Sequence, residues 1–412
     1  MHGYGDGAGK LAAMLALACA GALMGTQVAA QQAPAPAERV ESAVRTLDGR
    51  TLQPAEVRAT VERLMRAGRV PGLGLAILNR GEVVYLRGFG ERDVERHLPF
   101  TERTVTYAAS FTKSMFAYMV MQLVEEGRID LDRPIGEYLA RPLPEYPKYA
   151  DLAGDDRWRG ITPRMLLSHT SGLPNWRFTA PDEKLRFDFD PGFRYAYSGE
   201  GINLLQMVVE EATHRPVGEL MRERVLVPLG MTRTDLTWHA EWEDDLAIGY
   251  DEAGKPLGHN RRSNVRAAGS ADADIADVAR FVRGVLRGQG ISAATRAEML
   301  RPQVRIRSAH QFPTANRDTT SRDDGIALSY GLGWGLLRSP HGPAYFKEGH
   351  DDGWENYMIT FDRSGTALVV MTNSSNGESI FKELLATLIG DTYTPWEWER
   401  YTPYDAPVES HD

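Results

Sequence analysis

The chain has 412 residues, a formal net charge of −9 and a hydrophobic content of 42%. These values are typical of a folded globular protein with enough chain for a large core and for two lobes. The acidic balance argues against a nucleic-acid partner, because phosphates require a basic surface. Beyond the first thirty residues, no apolar run reaches the length of a membrane span.

The first thirty residues have the pattern of a secretory signal peptide. Lys10 precedes the apolar segment LAAMLALACAGALMG, and residues 28–30 offer small side chains where a signal peptidase cleaves. We expect cleavage after Ala30, no membrane span in the mature chain, and a periplasmic or secreted location. A membrane anchor and lipidation of Cys19 are the alternatives. Cys19 is the only cysteine, so cleavage leaves no disulfide and no cysteine ligand.

The mature chain begins with a predicted helix and the start of a sheet. A polar helix is expected from about Pro54 to Ala67. Two alternating apolar runs follow, LGLAILN at 73–79 and VVYLRGFG at 83–90. The residues Arg80-Gly81-Glu82 between them predict a hairpin.

The middle of the chain is predicted to be mostly helical and its last third mostly strands. Apolar periodicity predicts helices at 104–126, 201–213, 217–227 and 274–286, with a turn of helix inside 161–174. Strand patterns cover 330–337, 344–347, 356–362 and 366–372, and a helix follows at 378–388. The tail after Asp391, which carries Trp396 and Trp398, is predicted to wrap the surface.

This order predicts one sheet built from both ends of the chain, with a helical lobe inserted in the middle. The expected fold class is α/β plus all-α, an antiparallel sheet flanked by helices, with the active site at the seam. The expected divisions are a signal peptide at 1–30, a linker at 31–53, an α/β domain at 54–107 and 287–391, a helical domain at 108–286 and a C-terminal tail at 392–412.

Ser110 and Lys113 stand at the head of the most apolar predicted helix. Side chains three residues apart on a helix share a face, with Cβ atoms roughly 5–6 Å apart. A lysine among Phe111, Met115 and Phe116 loses hydration, which lowers its pKa and makes it a base for a serine nucleophile. The alternative is that Ser110 caps the helix and Lys113 extends to solvent. The motif alone does not decide, since Ser379-Ile-Phe-Lys382 repeats it.

His169 invites a catalytic or metal-binding interpretation. No second histidine lies at ligand spacing from it. We therefore expect a structural histidine that is hydrogen-bonded inside a turn.

Two further stretches carry polar groups at turns. Tyr197 precedes Ser198-Gly199, a tight turn that can present a phenol. Lys347-Glu348-Gly349 ends a strand, and its glycine allows close approach of a ligand.

Together these motifs resemble the serine β-lactamase and penicillin-binding-protein superfamily, most closely its class C-like branch of esterases, D-aminopeptidases and carboxypeptidases. The family pattern is S-x-x-K, then Y-x-N, then Lys/His-x-Gly, and residues 110–113, 197–199 and 347–349 correspond to it. The resemblance covers about residues 55–390 and implies a β-lactamase/transpeptidase-like fold. Supporting stretches are LLSHTSGLP at 166–174, VPLGMTRT at 227–234, YGLGWG at 330–335 and GHDDGW at 349–354.

The resemblance also implies the roles of these residues. Ser110 attacks a carbonyl, and Lys113 with Tyr197 moves protons to and from it. Lys347 favours a phenolate at Tyr197 or holds an anionic group of the substrate. The backbone N–H groups of Ser110 and His350 hold the oxyanion.

Two departures from the family pattern bear on the substrate. Gly199 lacks the carboxamide of the usual asparagine, and Glu348 places a negative charge where the family has a hydroxyl. With Gly349 these form the expected substrate-binding positions. We expect a small-molecule ester, amide or peptide without a free carboxylate beside the scissile bond. The expected repulsion of a substrate carboxylate by Glu348 weakens if Glu348 pairs with Lys347.

Other functions remain open at this stage. A D-Ala-D-Ala carboxypeptidase or a class C-like β-lactamase is the enzymatic alternative, and a non-catalytic binding or assembly module is the other. No cofactor is expected. Glu348, His350, Asp351 and Asp352 could form a metal cluster, but Asp351 and Asp352 point to opposite faces of a strand, so no metal is expected.

Overall fold

The computed structural model describes residues 39–406. The predicted signal peptide, its cleavage point, Cys19 and the first part of the linker therefore lie outside the described residues, as do residues 407–412. No helix within the described residues is long and apolar enough to cross a membrane.

The strands and helices follow the predicted order. The strands are β1 Val40–Glu41, β2 Val44–Arg45, β3 Thr51–Leu52, β4 Gly72–Asn79, β5 Glu82–Asp93, β6 Leu98–Pro99, β7 Thr106–Tyr107, β8 Gly249–Tyr250, β9 Pro256–Gly258, β10 Asp272–Ala273, β11 Val304–Arg305, β12 Ser329–Tyr330, β13 Gly335–Ser339, β14 Gly342–Asp351, β15 Trp354–Phe361 and β16 Thr366–Thr372. The α-helices are α1 Pro54–Gly68, α2 Phe111–Glu125, α3 Pro163–Leu167, α4 Gly199–Thr213, α5 Val217–Met221, α6 Ile275–Arg287, α7 Ala293–Met299 and α8 Phe381–Leu388.

The main sheet joins the two ends of the chain. Its order is β1-β5-β4-β16-β15-β14-β13-β12-β11, with β6 on β5, and neighbouring strands run antiparallel. The join lies between β4 and β16, where Leu75 is opposite Val370. Helices flank this sheet, so the predicted fold class is confirmed.

Helix α2 runs through the larger core, because it has almost no polar face. Its residues from Phe111 to Gln122 are all buried, and Leu123 is also inaccessible. One face of the sheet packs on this core, to which Met358 and Val369 belong. The opposite face packs on α1 and α8 through residues such as Tyr357 and Leu368. The head of α2 is therefore fixed against the sheet.

The predicted strand at 330–337 is wrong in its middle. The structure has β12 and β13 separated by residues 331–334, because this segment turns toward α2. Gly333 has φ +84°, and a Cβ there would lie 2.3 Å from the Cβ of Ala117. Only glycine tolerates this conformation and this approach.

Two expectations about the chain ends also need correction. Residues 39–53 contain β1, β2 and β3, so the linker prediction does not hold there; Val44 is buried and β1 pairs with β5. Trp396 and Trp398 do not wrap the surface. They are 5% and 1% exposed and belong to the core between the sheet and helices α1 and α8. Burial of two indole rings removes a large apolar area from water.

Candidate active site

Ser110 occupies a strained turn immediately before α2. The preceding residue, Ala109, has φ +47°, a left-handed conformation that costs energy for a residue with a Cβ. The turn is held by Thr112, whose hydroxyl donates to the Ala109 carbonyl at 2.6 Å. The Ser110 side chain makes no capping hydrogen bond within residues 39–406 and is partly exposed. The capping alternative is therefore excluded, and the hydroxyl is presented to solvent.

Lys113 lies beneath this hydroxyl and does not extend to solvent. It is 1% exposed, its Nζ lies 2.9 Å from Ser110 Oγ, and it also donates to the Ala268 carbonyl. Burial lowers the pKa of Lys113 well below its usual value, and the nearby Lys347 charge lowers it further. A neutral amine donates to Ala268 while its lone pair accepts the Ser110 proton. Lys113 thus contacts the hydroxyl, and its lowered pKa favours the neutral amine that a base requires.

The second copy of the motif has neither property. Ser379 donates its hydroxyl to the Asn376 carbonyl at 2.7 Å, and Lys382 is exposed. The two copies share a spacing, but only the first combines a free hydroxyl with a buried amine.

Tyr197 lies between the two buried lysines. The Nζ atoms of Lys113 and Lys347 are each 4.8 Å from the centre of its ring. Burial raises the pKa of the phenol well above 10, the Glu348 charge raises it further, and the neighbouring Ser110 hydroxyl lowers it. The hydroxyl has no partner of hydrogen-bond geometry among the described residues. Burial and the Glu348 charge therefore oppose the phenolate that we expected Lys347 to favour.

His169 supports Tyr197 from within the protein. Its ring centre lies 4.3 Å from that of Tyr197, and its Nδ1 accepts the Ser198 backbone N–H at 3.1 Å. Burial lowers the pKa of His169 well below its usual value, and the charges of Lys113 and Lys347 add to this. The hydrogen-bonded structural histidine predicted from the sequence is confirmed. Its neutral ring fixes the turn that carries the phenol.

Lys347 and Glu348 form a pair at the end of β14. Lys347 is inaccessible, and its Nζ donates to the Glu348 carbonyl at 2.9 Å and to Glu348 Oε1 at 2.7 Å. Gln311 donates to the same carboxylate oxygen at 2.8 Å. The pairing weakens the predicted repulsion of substrate carboxylates by Glu348. It also occupies the ammonium that would otherwise bind such a carboxylate.

Gly349 allows β14 to pass directly beside the turn at residues 108–110. A Cβ at this position would lie 2.7 Å from the Ala108 carbonyl oxygen, so a larger residue would push the strand away. The next residue, His350, directs its ring to Glu355, with Nδ1 2.7 Å from Oε2. Its backbone N–H therefore remains the group predicted to hold an oxyanion together with that of Ser110.

Trp176 is a site residue that the sequence motifs did not reveal. A Cβ on Gly199 would lie 2.4 Å from the Trp176 ring, so the indole fills the space that an asparagine side chain would take. The ring lies 5.7 Å from Lys113 Nζ and stacks on the exposed Phe178 at 5.8 Å. The only signal in the sequence was the glycine at 199, which indicated a missing side chain but not what replaces it.

The four groups predicted to carry the chemistry thus converge. Ser110, Lys113, Tyr197 and Lys347 come from the head of α2, the turn before α4 and strand β14, and they meet around one phenol ring. Phe312, which is 37% exposed, packs edge-on against Tyr197 at 5.6 Å and forms a further wall.

Comparison with known proteins identifies the family of this chain. A family model described as Beta-lactamase matches residues 57–389. The chain belongs to the Beta-lactamase family. Relatives within the family include both penicillin-binding proteins and esterases, which supports a hydrolase.

Two relatives and one solved structure illustrate the range of the family. The chain is 29% identical over 326 residues to the esterase EstB of Burkholderia gladioli, covering 71% of this chain and 80% of the relative. It is 26% identical over 353 residues to penicillin-binding protein 4 of Amycolatopsis lactamdurans, covering 78% and 86%. The fold is similar to that of the octameric penicillin-binding protein homologue from Pyrococcus abyssi, with a TM-score of 0.65 and 23% identity over 82% of this chain and 78% of that one.

Proposed function

We propose that this protein is a serine hydrolase that cleaves neutral esters through an acyl-enzyme on Ser110. The observation that carries the proposal is the 2.9 Å contact between Ser110 Oγ and the buried Lys113 Nζ. A buried amine of lowered pKa takes the serine proton without first losing its own.

The geometry supports the following sequence of bonds. Lys113 accepts the Ser110 proton as Oγ bonds to the substrate carbonyl carbon. The oxyanion that forms accepts hydrogen bonds from the backbone N–H groups of Ser110 and His350. The bond from the carbonyl carbon to the leaving oxygen then breaks. Tyr197 donates its hydroxyl proton to that oxygen, and the protonated Lys113 returns a proton to Tyr197. In deacylation Lys113 takes a proton from water as the water oxygen bonds to the acyl carbon. The bond from that carbon to Ser110 Oγ then breaks, and Lys113 returns the proton to Oγ.

The walls of the site favour an apolar acyl group without a carboxylate. Lys347 directs two of its three N–H donors to Glu348, and position 199 offers no carboxamide. Trp176, Phe178 and Phe312 instead present aromatic faces. Aryl or short aliphatic esters fit these surfaces better than acyl-D-Ala-D-Ala peptides or β-lactams do.

A comparison of substrates tests the specificity. We expect kcat/KM for p-nitrophenyl butyrate and p-nitrophenyl benzoate to exceed that for nitrocefin by at least about 100-fold, since the charged β-lactam finds no free cation. Release of D-alanine from acyl-D-Ala-D-Ala should be equally weak. Nitrocefin turnover that rivals ester turnover would favour a β-lactamase, and efficient D-alanine release would favour a carboxypeptidase.

Covalent labelling separates an enzyme from a binding module on the same fold. A fluorophosphonate probe should label the protein with one equivalent, and mass mapping should place it on Ser110. A fluorescent penicillin should label it slowly or not at all. Failure of the fluorophosphonate to react would support the non-catalytic alternative.

Trp176 should determine the preference for aromatic acyl groups. Trp176→Ala is expected to raise KM for p-nitrophenyl benzoate by about 2- to 13-fold, the equivalent of a lost aromatic pair of roughly 0.5–1.5 kcal/mol. KM for p-nitrophenyl acetate should change less than twofold, because an acetyl group does not reach the indole. Phe193→Ala, which removes an aromatic ring that is 78% exposed, is the control. Equal losses on both esters would contradict this role.

Removing the charge of Lys347 and removing the charge of Glu348 should shift the acid limb of the kcat/KM profile in opposite directions. Protonated Lys113 is inactive, so kcat/KM falls on the acid side as this amine gains its proton. The Lys347 charge lowers the pKa of Lys113 and the Glu348 charge raises it. Lys347→Gln should therefore move the acid limb to higher pH, and Glu348→Gln should move it to lower pH. Profiles of kcat/KM that shift in the same direction would contradict Lys113 as the base.

A further inference from the structure

A small acidic cavity adjoins the proposed active site at the β14–β15 hairpin. It has a volume of about 90 Å³, and its lining includes Glu348, His350, Glu355, Glu378 and Glu399. No lysine or arginine of the described residues lines it. Since Glu348 is paired with Lys347, three carboxylates remain against one imidazole. Charged carboxylates out of water are unfavourable, so these groups either hold protons or share a cation.

Three of these side chains bring possible ligand atoms together. One ligand atom each of His350, Glu355 and Glu378 lies within 4.8 Å of the others. His350 and Glu355 are directly opposite in the β14–β15 register, and Glu378 lies on the short 3-10 helix Gly377–Ile380. A Cβ on Gly377 would lie 2.7 Å from the Cβ of Glu355, so the glycine allows this helix to pack on the strand. The cluster is thus built by three separate pieces of chain.

A second observation points independently to a ligand. Glu399 also lines the cavity, and its Oε2 is inaccessible to solvent and has no hydrogen-bond partner in the part of the chain that the structure describes. Its other oxygen accepts from the Tyr357 hydroxyl at 3.3 Å. Without a donor, this buried oxygen must either carry a proton or meet a cation or a cation-bound water.

We propose that His350, Glu355 and Glu378 bind one divalent cation of the zinc type. Imidazole with carboxylates suits a first-row ion such as Zn²⁺ better than Ca²⁺, which prefers six to eight oxygens. Tetrahedral Zn²⁺ needs ligand atoms roughly 3.3 Å apart, given bonds of about 2.0 Å. The His350 side chain is 65% exposed, and its Nδ1 already lies 2.7 Å from Glu355 Oε2, so an ion would replace this contact. The volume also accommodates a bound water within reach of Glu399.

This site differs from the cluster that the sequence suggested. Asp351 ends β14 and Asp352 lies in the following turn, and neither lines the cavity. The ligands are instead supplied from across the hairpin and from the helix after β16. The ion ties together the strand end that bears the His350 N–H, strand β15 and the helix at 377–380. Its binding does not depend on Ser110 being a nucleophile.

Metal binding to the full chain tests the proposal. Protein purified without a histidine tag and stripped with EDTA is dialysed against micromolar Zn²⁺, and bound metal is counted by mass spectrometry. We expect one ion per chain and a Zn²⁺-dependent rise in Tm. Glu378→Gln and Glu355→Gln should each weaken binding by at least about 100-fold, because even outer partners of a metal contribute about 10- to 100-fold.

The control is a second histidine–carboxylate group on the surface. His239 lies 3.3 Å from the exposed Glu241, with Asp235 also in contact. Glu241→Gln should leave the Zn²⁺ stoichiometry and affinity unchanged. Both cavity variants keep the side-chain shape. Glu355→Gln also removes the ion pair with His350, so it is Glu378→Gln whose metal-free Tm should equal or exceed that of the wild type. No bound ion at micromolar Zn²⁺, or binding retained in both cavity variants, would overturn the site.

Discussion

Replacing Ser110 with alanine is expected to lower kcat for p-nitrophenyl butyrate by at least about 10⁴-fold, as loss of the nucleophile does in acyl-enzyme hydrolases. The Lys113 amine and the backbone N–H groups remain in the variant, but no oxygen is left to accept the acyl group. Steady-state rates at saturating ester measure the loss. Fluorophosphonate labelling should disappear in the same variant.

The second copy of the motif provides a matched control for this experiment. Ser379 has the same spacing to a lysine and also precedes a helix, but its hydroxyl is bonded to Asn376. Ser379→Ala should keep kcat within about twofold of the wild type. Retention of more than about 1% of activity in Ser110→Ala, or an equal loss in Ser379→Ala, would assign the chemistry to another group.

The sequence was informative where local pattern determines the structure. The apolar run from Phe111 to Glu125 left little polar face for Lys113, so the sequence indicated burial of the amine, with extension to solvent as the alternative that the structure excludes. The strand predicted at 366–372 matches β16, because a short apolar run bounded by turns has few other ways to pack. The order of strands and helices then indicated a sheet joined from both ends.

The sequence was uninformative where contacts link distant segments. Trp176 fills the space above Gly199, and Gln311 bonds Glu348 across 37 positions. No local periodicity encodes either contact. The strand predicted at 330–337 breaks because Gly333 meets Ala117 on α2, which is a tertiary cause that overrides strand propensity.

Glu348 shows how such contacts alter a functional argument. Its charge suggested repulsion of substrate carboxylates, with pairing to Lys347 as the alternative. The structure shows the pairing, and the proposed preference for neutral substrates then rests on a different cause. Lys347 is engaged, so the site lacks the free cation that a carboxylate needs. The acidic cavity beyond it is a second consequence of contacts between separate segments, since Glu355, Glu378 and Glu399 come from different elements.

Lys113→Met should lower kcat by roughly 10²- to 10⁴-fold, the usual contribution of a positioned base, while KM changes little. Methionine retains the length and apolar contacts of the buried stem, so the variant should fold. Its Tm should equal or exceed that of the wild type, because a buried amine is replaced by an apolar group. Pre-steady-state acylation by p-nitrophenyl butyrate should slow by the same factor as kcat, provided that Lys113 acts on Ser110.

Lys382→Met, on the exposed copy of the motif, should alter neither rate. A Lys113→Met enzyme that acylates at the wild-type rate would show that the serine proton leaves by another route, and Tyr197 would then be the group to replace.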